Sequence, residues 1–203
     1  LKPLPRSFYL QPTIQVAQKL LGKCFMRRIG NHLLAGKIVE VEAYRINDPA
    51  SHSFHGKTGR NSIMFCEGGH LYVYFTYGMH FCANIVTGKE GIGEAVLIRA
   101  VEPLTGIEIM KKNRRSPIKS LNLKSLDHKI LINLTNGPAK FCQAFDISRE
   151  ENGTDLLGSE ISIVDGEPIP SKLIKRSSRI GIHSGLEKKW RFFIKGNPWV
   201  SRK

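Results

Sequence analysis

Apolar residues at Ile14, Ala17 and Leu21 share one helical face behind Pro12. This predicts a helix over Pro12–Leu21, with Gly22 as its stop. The period then changes to two. Strands are predicted at Lys23–Arg28 and Leu33–Tyr44, joined by a turn at Gly30-Asn31. Residues 45–70 carry little periodicity and much Gly, Ser, Asn and His, and an irregular stretch of that length is more often functional than idle. Aromatic and branched residues return in Leu71–Tyr77 and Met79–Val86, two strands parted at Gly78, and in Ala95–Val101. Glu102-Pro103 then opens a predicted helix to about Asn113, and the basic stretch to 133 reads as a mobile surface loop. Asn136-Gly137-Pro138 starts another helix to about Phe145, and short strands fall around Glu160–Val164 and Arg191–Ile194. With no repeat and no linker-like segment, the expectation is one α+β domain over residues 1–203, built on a mainly antiparallel sheet.

Two segments of this pattern offer chemistry. In Gly36–Tyr44 strict alternation points Val39, Val41 and Ala43 one way and Ile38, Glu40, Glu42 and Tyr44 the other. Two carboxylates and an aromatic ring on one strand face suit a solvated surface, or a cleft in which a carboxylate activates water. In Leu71–Met79, Tyr72 and Tyr74 share a face and Tyr77 lies at the tip. That is either an ordinary hairpin packed on the core or an exposed wedge able to enter a base stack. Phe8, Phe25, Phe75 and Phe81 are assigned to the core.

Charge narrows the choice. Lys+Arg number 31 against 17 Asp+Glu in 203 residues, a net +14. A polyanion, either a nucleic acid or an acidic membrane surface, is therefore the default partner, against the plainer reading of a basic soluble surface. The excess gathers in residues 111–129 and in 171–203, where ten Lys or Arg face Glu187 alone. The hydrophobic content of 41% and charged content of 24% exclude a mostly disordered chain and a disulfide knot. No apolar run approaches the roughly 18 residues of a membrane span, so a soluble intracellular protein is expected. Cys24, Cys66, Cys82 and Cys142 form no Cys-x-x-Cys pair. Cys66, His70, His80 and Cys82 have atypical spacing for zinc, and small buried thiols are the better account.

Several segments together closely resemble the alkyladenine (3-methyladenine) DNA glycosylase family. They are Val39–Tyr44, Asp48-Pro49-Ala50-Ser51-His52, Arg60-Asn61, Leu71–Met79, Asn136–Lys140 and Asn197-Pro198-Trp199-Val200-Ser201, so the resemblance runs from about Leu4 to Ser201. It implies a curved antiparallel sheet with flanking helices and a protruding hairpin. It also implies an enzyme that flips damaged purines (3-methyladenine, 7-methylguanine, hypoxanthine, ethenoadenine) from duplex DNA and hydrolyses the N-glycosidic bond. By this resemblance Glu42 is the general base, and Arg99 and the Ile180 carbonyl help hold the water. Tyr44, His52 and Tyr74 form the base pocket, Asn84 at its edge disfavours guanine, and Tyr77 fills the gap in the stack.

No amine nucleophile, metal or organic cofactor is implied. The expected partner is double-stranded DNA, with no membrane, bound by a monomer in the bacterial cytoplasm and nucleoid or in a eukaryotic nucleus. Arg45-Ile46 stands where family members commonly have Leu-Gly, and the loop to His52 is shorter, which leaves the lesion range open. Three residues also have a plainer role: His52 structural in its loop, Glu40 a structural or surface carboxylate, Arg99 the partner of an acid. A silent nucleic-acid-binding module and a hydrolase of free nucleosides are the competing functions.

Overall fold

The computed structural model describes residues 1–114 and 126–201. Within them the protein is α+β, a curled antiparallel sheet with a few flanking helices. The strands are β1 (Cys24–Ile29), β2 (His32–Tyr44), β3 (Leu71–Thr76), β4 (His80–Thr87), β5 (Glu94–Thr105), β6 (Ile161–Val164), β7 (Ile174–Ser177) and β8 (Arg191–Ile194). The helices are α1 (Arg6–Tyr9), α2 (Thr13–Leu20), α3 (Ile107–Asn113), α4 (Leu126–Asn133) and α5 (Pro138–Ala144). The sheet runs β3-β4-β5-β2-β1-β6, with β8 joining β2 and β7 joining β8.

The 13-residue β2 is the spine. One edge pairs with β5 from Ala35 to Tyr44; the other pairs first with β1 up to Lys37 and then with β8 over Glu40–Glu42. Helices α2 and α5 cover one face, against β2 and β5 and against β4 and β5 respectively. The core there includes Leu20, Phe25, Val41, Ile85, Ile98 and Phe192. Phe25 meets Phe141 and Phe145 edge-on, at centroid distances of 5.0 and 5.5 Å, the favoured geometry for aromatic pairs.

Several expectations are corrected. Helix α2, which answers the helix expected over Pro12–Leu21, buries Thr13, Val16, Ala17 and Leu20, while Ile14 only packs at the margin. Glu102 and Pro103 do not open a helix. Strand β5 continues through them to Thr105, because Pro103, which lacks an N–H, sits opposite Gly36 at a register shift where a ladder bond is dispensable. Helix α4 replaces the end of the expected loop; residues 115–125, with Arg115, Lys119 and Lys124 of the basic tract, lie outside the described residues. Phe25 is buried and Phe8 and Phe81 pack at the core margin, but Phe75 is 39% exposed on β3. Cys82 and Cys142 are buried; Cys24 and Cys66 are only partly so.

The alternation along β2 is also broken. Ile38 lies in the core cluster and not beside Glu40. Register shifts bracket Glu40, one skipping Val39 on β2 and the next skipping Arg99 on β5. The extra residue at Val39 resets the pleat, so Ile38 and Glu40 face opposite sides.

Candidate active site

Register builds the other face of the sheet. Glu42 lies opposite Leu97, Leu97 opposite Asn84, and Asn84 opposite Tyr72, one row across four strands. Cys82 and Tyr74 form the neighbouring pair. Directly paired residues share a face, so a one-residue slip would send this whole row into the core. Tyr72, Asn84 and Leu97 line a cavity of about 260 Å³, together with Tyr44, His52, Arg60, Tyr74, Cys82, Arg99, Pro138 and Ile180. The loop over residues 45–70 walls one side and the irregular segment around Ile180 the other.

Glu42 lies under this cavity, fully buried. Its Oε1 accepts the Ile180 N–H at 2.8 Å and lies 3.3 Å from Arg99 Nη1; its Oε2 accepts the Tyr44 hydroxyl at 2.8 Å. Glu40, equally buried, accepts from Arg99 Nε (2.9 Å), Arg191 Nε (2.7 Å), and the Ser201 hydroxyl (2.9 Å) and N–H (2.6 Å). Arg99, the residue skipped by the β5 register, thus stands between both carboxylates. Burial opposes its charge, but Glu42 and Glu40 outweigh burial and raise its pKa. Bulges beside active sites commonly re-aim a side chain in this way.

The cavity lining is rich in aromatic rings whose phenols are neutral, with Arg60 and Arg99 as its charged members. Burial first, then the Glu42 charge, raises the Tyr44 phenol, so it remains a hydrogen-bond donor at neutral pH. Burial also raises Tyr74, and it pushes Tyr72 up to about 12 against the opposing charge of Arg60. His52 is open to the cavity, its Nδ1 3.0 Å from the Tyr72 hydroxyl and its ring edge-on to Tyr74 at 4.5 Å. Enclosure by these rings, then the Arg60 charge, lowers its pKa and favours the neutral imidazole. Asn84 donates its amide to the Tyr72 carbonyl at 3.1 Å, which fixes its orientation. Among the described residues no three His, Cys, Asp or Glu side chains gather as around a metal ion.

At the cavity mouth the β3–β4 hairpin turns through Tyr77 and Gly78, both at positive φ (52° and 66°), closed by the Met79 N–H on the Thr76 carbonyl at 3.3 Å. Glycine takes φ > 0 freely; a tyrosine does so at a cost of roughly 1–2 kcal/mol. Tyr77 is 82% exposed and Met79 70%.

This geometry has relatives. The family model described as methylpurine-DNA glycosylase (MPG) matches residues 7–198. The chain belongs to the methylpurine-DNA glycosylase family. A protein of Carboxydothermus hydrogenoformans, provisionally named a 3-methyladenine DNA glycosylase, is 47% identical over 98% of this chain and 99% of its own length. Similarly named proteins of Francisella tularensis subsp. tularensis and Clostridium acetobutylicum are 47% and 46% identical, covering 94% and 98% of this chain and 94% and 97% of their own lengths. Family membership makes the chain a DNA glycosylase, a hydrolase of DNA repair with DNA as its substrate. No helix of the described residues is long and apolar enough to cross a membrane.

The structure thus brings Glu42, Tyr44, His52, Tyr74, Tyr77, Asn84, Arg99 and Ile180 to one place. Ile180 meets Glu42 through its N–H, whereas the expectation concerned its carbonyl. Sequence reasoning assigned no role to Tyr72, Arg60, Pro138 or Ser201, although each stood in a segment quoted for the family. Their neighbours are distant in sequence: Ser201 lies 161 residues from Glu40.

Proposed function

We propose that residues 1–203 form a single glycosylase domain that flips an alkylated or deaminated purine out of duplex DNA and hydrolyses its N-glycosidic bond. The substrate class is 3-methyladenine, 7-methylguanine, hypoxanthine and ethenoadenine, and the product is an abasic site. The observation that carries this reading is the buried Glu42 carboxylate beneath an aromatic cavity, with an exposed tyrosine at the cavity mouth. A base cannot be attacked inside the duplex, and extrusion requires a few kcal/mol of unpairing that a damaged base lowers. Tyr77 occupies the vacated space; Tyr44, Tyr72 and Tyr74 receive the base, and aromatic faces attract the positive charge of an N3- or N7-alkylated purine. Asn84 at the pocket edge disfavours the 2-amino group of guanine.

Glu42 takes a proton from water as that water attacks the anomeric carbon, and the base leaves with the electrons of the glycosidic bond. Arg99 and Ile180 hold the carboxylate and the water in place. Water is the nucleophile, so the reaction is monofunctional and leaves the strand intact. The names of the relatives, for 3-methyladenine, agree with this class.

The test is single-turnover release of free base from a duplex with one hypoxanthine or ethenoadenine. Glu42→Gln keeps an oxygen for the Ile180 N–H, and Tyr44 can turn to accept from the new amide, so the variant should fold and bind. Its excision should fall by at least about 10²-fold. Parent-like excision by Glu42→Gln overturns the role of this carboxylate, and a covalent adduct trapped by borohydride during turnover overturns the monofunctional mechanism.

A further inference from the structure

The segment from Ser178 to Trp190 has no regular secondary structure, yet it carries the Ile180 N–H that holds Glu42. Loops are ordinarily the mobile part of a fold, so an N–H placed to 2.8 Å needs an anchor. The anchor is Arg179, one residue away. It pairs with Asp48, and neither side chain is exposed to solvent. Arg179 Nη2 donates to Asp48 Oδ1 at 2.9 Å, while Nη1 donates to Asp48 Oδ2 and, at 3.1 Å, to the Ala43 carbonyl. The guanidinium lies 4.7 Å from the centre of the Tyr44 ring and 5.3 Å from that of Trp190. Gly185 closes over the pair at φ +66°, where a Cβ would meet Asp48 Oδ1 at 2.9 Å and Arg179 Nη2 at 3.0 Å.

One ion pair therefore reaches two of the three donors that meet the general base, the third being Arg99. Arg179 stacks on the ring whose hydroxyl donates to Glu42 Oε2, and its own chain neighbour donates to Oε1. Asp48 belongs to the other wall: it caps the turn that leads to His52, accepting the Ala50 N–H at 3.3 Å, while its carbonyl accepts the Ser51 N–H at 2.8 Å. We propose that Arg179, clamped by Asp48, is a positioning residue for excision, setting Tyr44 and the Ile180 N–H against Glu42 and locking the two walls of the cavity together.

The proposal rests on the reading of Glu42 as general base, and Glu42→Gln in the same assay tests that reading separately. Arg179→Lys keeps the charge but loses the planar fork that bridges Asp48, Ala43 and the Tyr44 ring. It should lower the single-turnover excision rate by at least about 10-fold while the Kd for lesion duplex stays within about 3-fold of the parent. Tyr44→Phe removes one of the bonds that Arg179 positions, so the double variant Arg179→Lys/Tyr44→Phe should lose less than the product of the two single losses. If Arg179→Lys fails to fold, Asp48→Asn replaces it in the same comparison with the same expected split. An excision rate within 3-fold of the parent, a loss lying in Kd and not in rate, or a strictly multiplicative double variant would overturn the proposal. Parent-like excision by Glu42→Gln would instead overturn the reading beneath it.

Discussion

The buried end of β2 and the tip of the β3–β4 hairpin are built on opposite principles, though both border one cavity. Around Glu40 and Glu42 every charge is out of solvent and shared: four donors meet Glu40 and three meet Glu42. At Tyr77-Gly78-Met79 two large apolar side chains stand in water on a turn that a tyrosine adopts only under strain. Removing charges from water is tolerable only when they are densely paired, so the first region is rigid and sensitive to any single loss. The second contributes little to the fold. Exposure and strain at such a place accompany a surface that meets a partner.

The sharpest way to break this contrast is at Glu40. Glu40→Gln withdraws the charge that Arg99 and Arg191 share, and removing one member of a buried pair typically costs about 3–5 kcal/mol. Urea unfolding should show that loss, while excision per folded molecule falls far less than in Glu42→Gln. The reverse pattern, a stable variant with no excision, would move the general base to Glu40. A smaller effect is expected at the tip. Tyr77→Gly relieves the positive φ, so the unfolding free energy should stay level or rise by about 1 kcal/mol. A fluorescent base analogue at the lesion should meanwhile report less flipping. Lower stability with unchanged flipping would make Tyr77 a packing residue. The smallest effect in the working range concerns pH. Burial raises Asp48, but Arg179 outweighs it and the net pKa is lowered. A depressed carboxyl adds stability above its unfolded pKa of about 3.9 and loses it as pH falls through the folded value. Thermal melts should therefore be flat in this respect between about pH 5 and 8 and decline below about pH 4. In Asp48→Asn that acid decline should be shallower.

Much of the site could be read from local pattern because its strands are regular where it lies. Tyr72 and Tyr74, and Glu42 and Tyr44, share faces by the two-residue period, and Gly78 marks the turn that exposes Tyr77. Pattern failed where geometry departs from the period. Ile38 changed sides because the bulge at Val39 resets the pleat, and Pro103 stayed in β5 because a register shift spared it a hydrogen bond. Strand β7 escaped notice since its four residues, Ile174–Ser177, are half exposed and owe their strand form to β8.

By itself the sequence determined the α+β class, the antiparallel strands, the family and the side-chain types that line the cavity, because these follow from short-range periodicity and from motifs whose order is written in the chain. Only the tertiary structure decided which partner each buried charge has. Glu40 with Ser201, Glu42 with the Ile180 N–H, and Asp48 with Arg179 are contacts between positions 131 to 161 residues apart. No local pattern encodes such pairs: they exist because strand register and two irregular segments converge on one place, and a charge buried there is tolerable only once its partner has arrived.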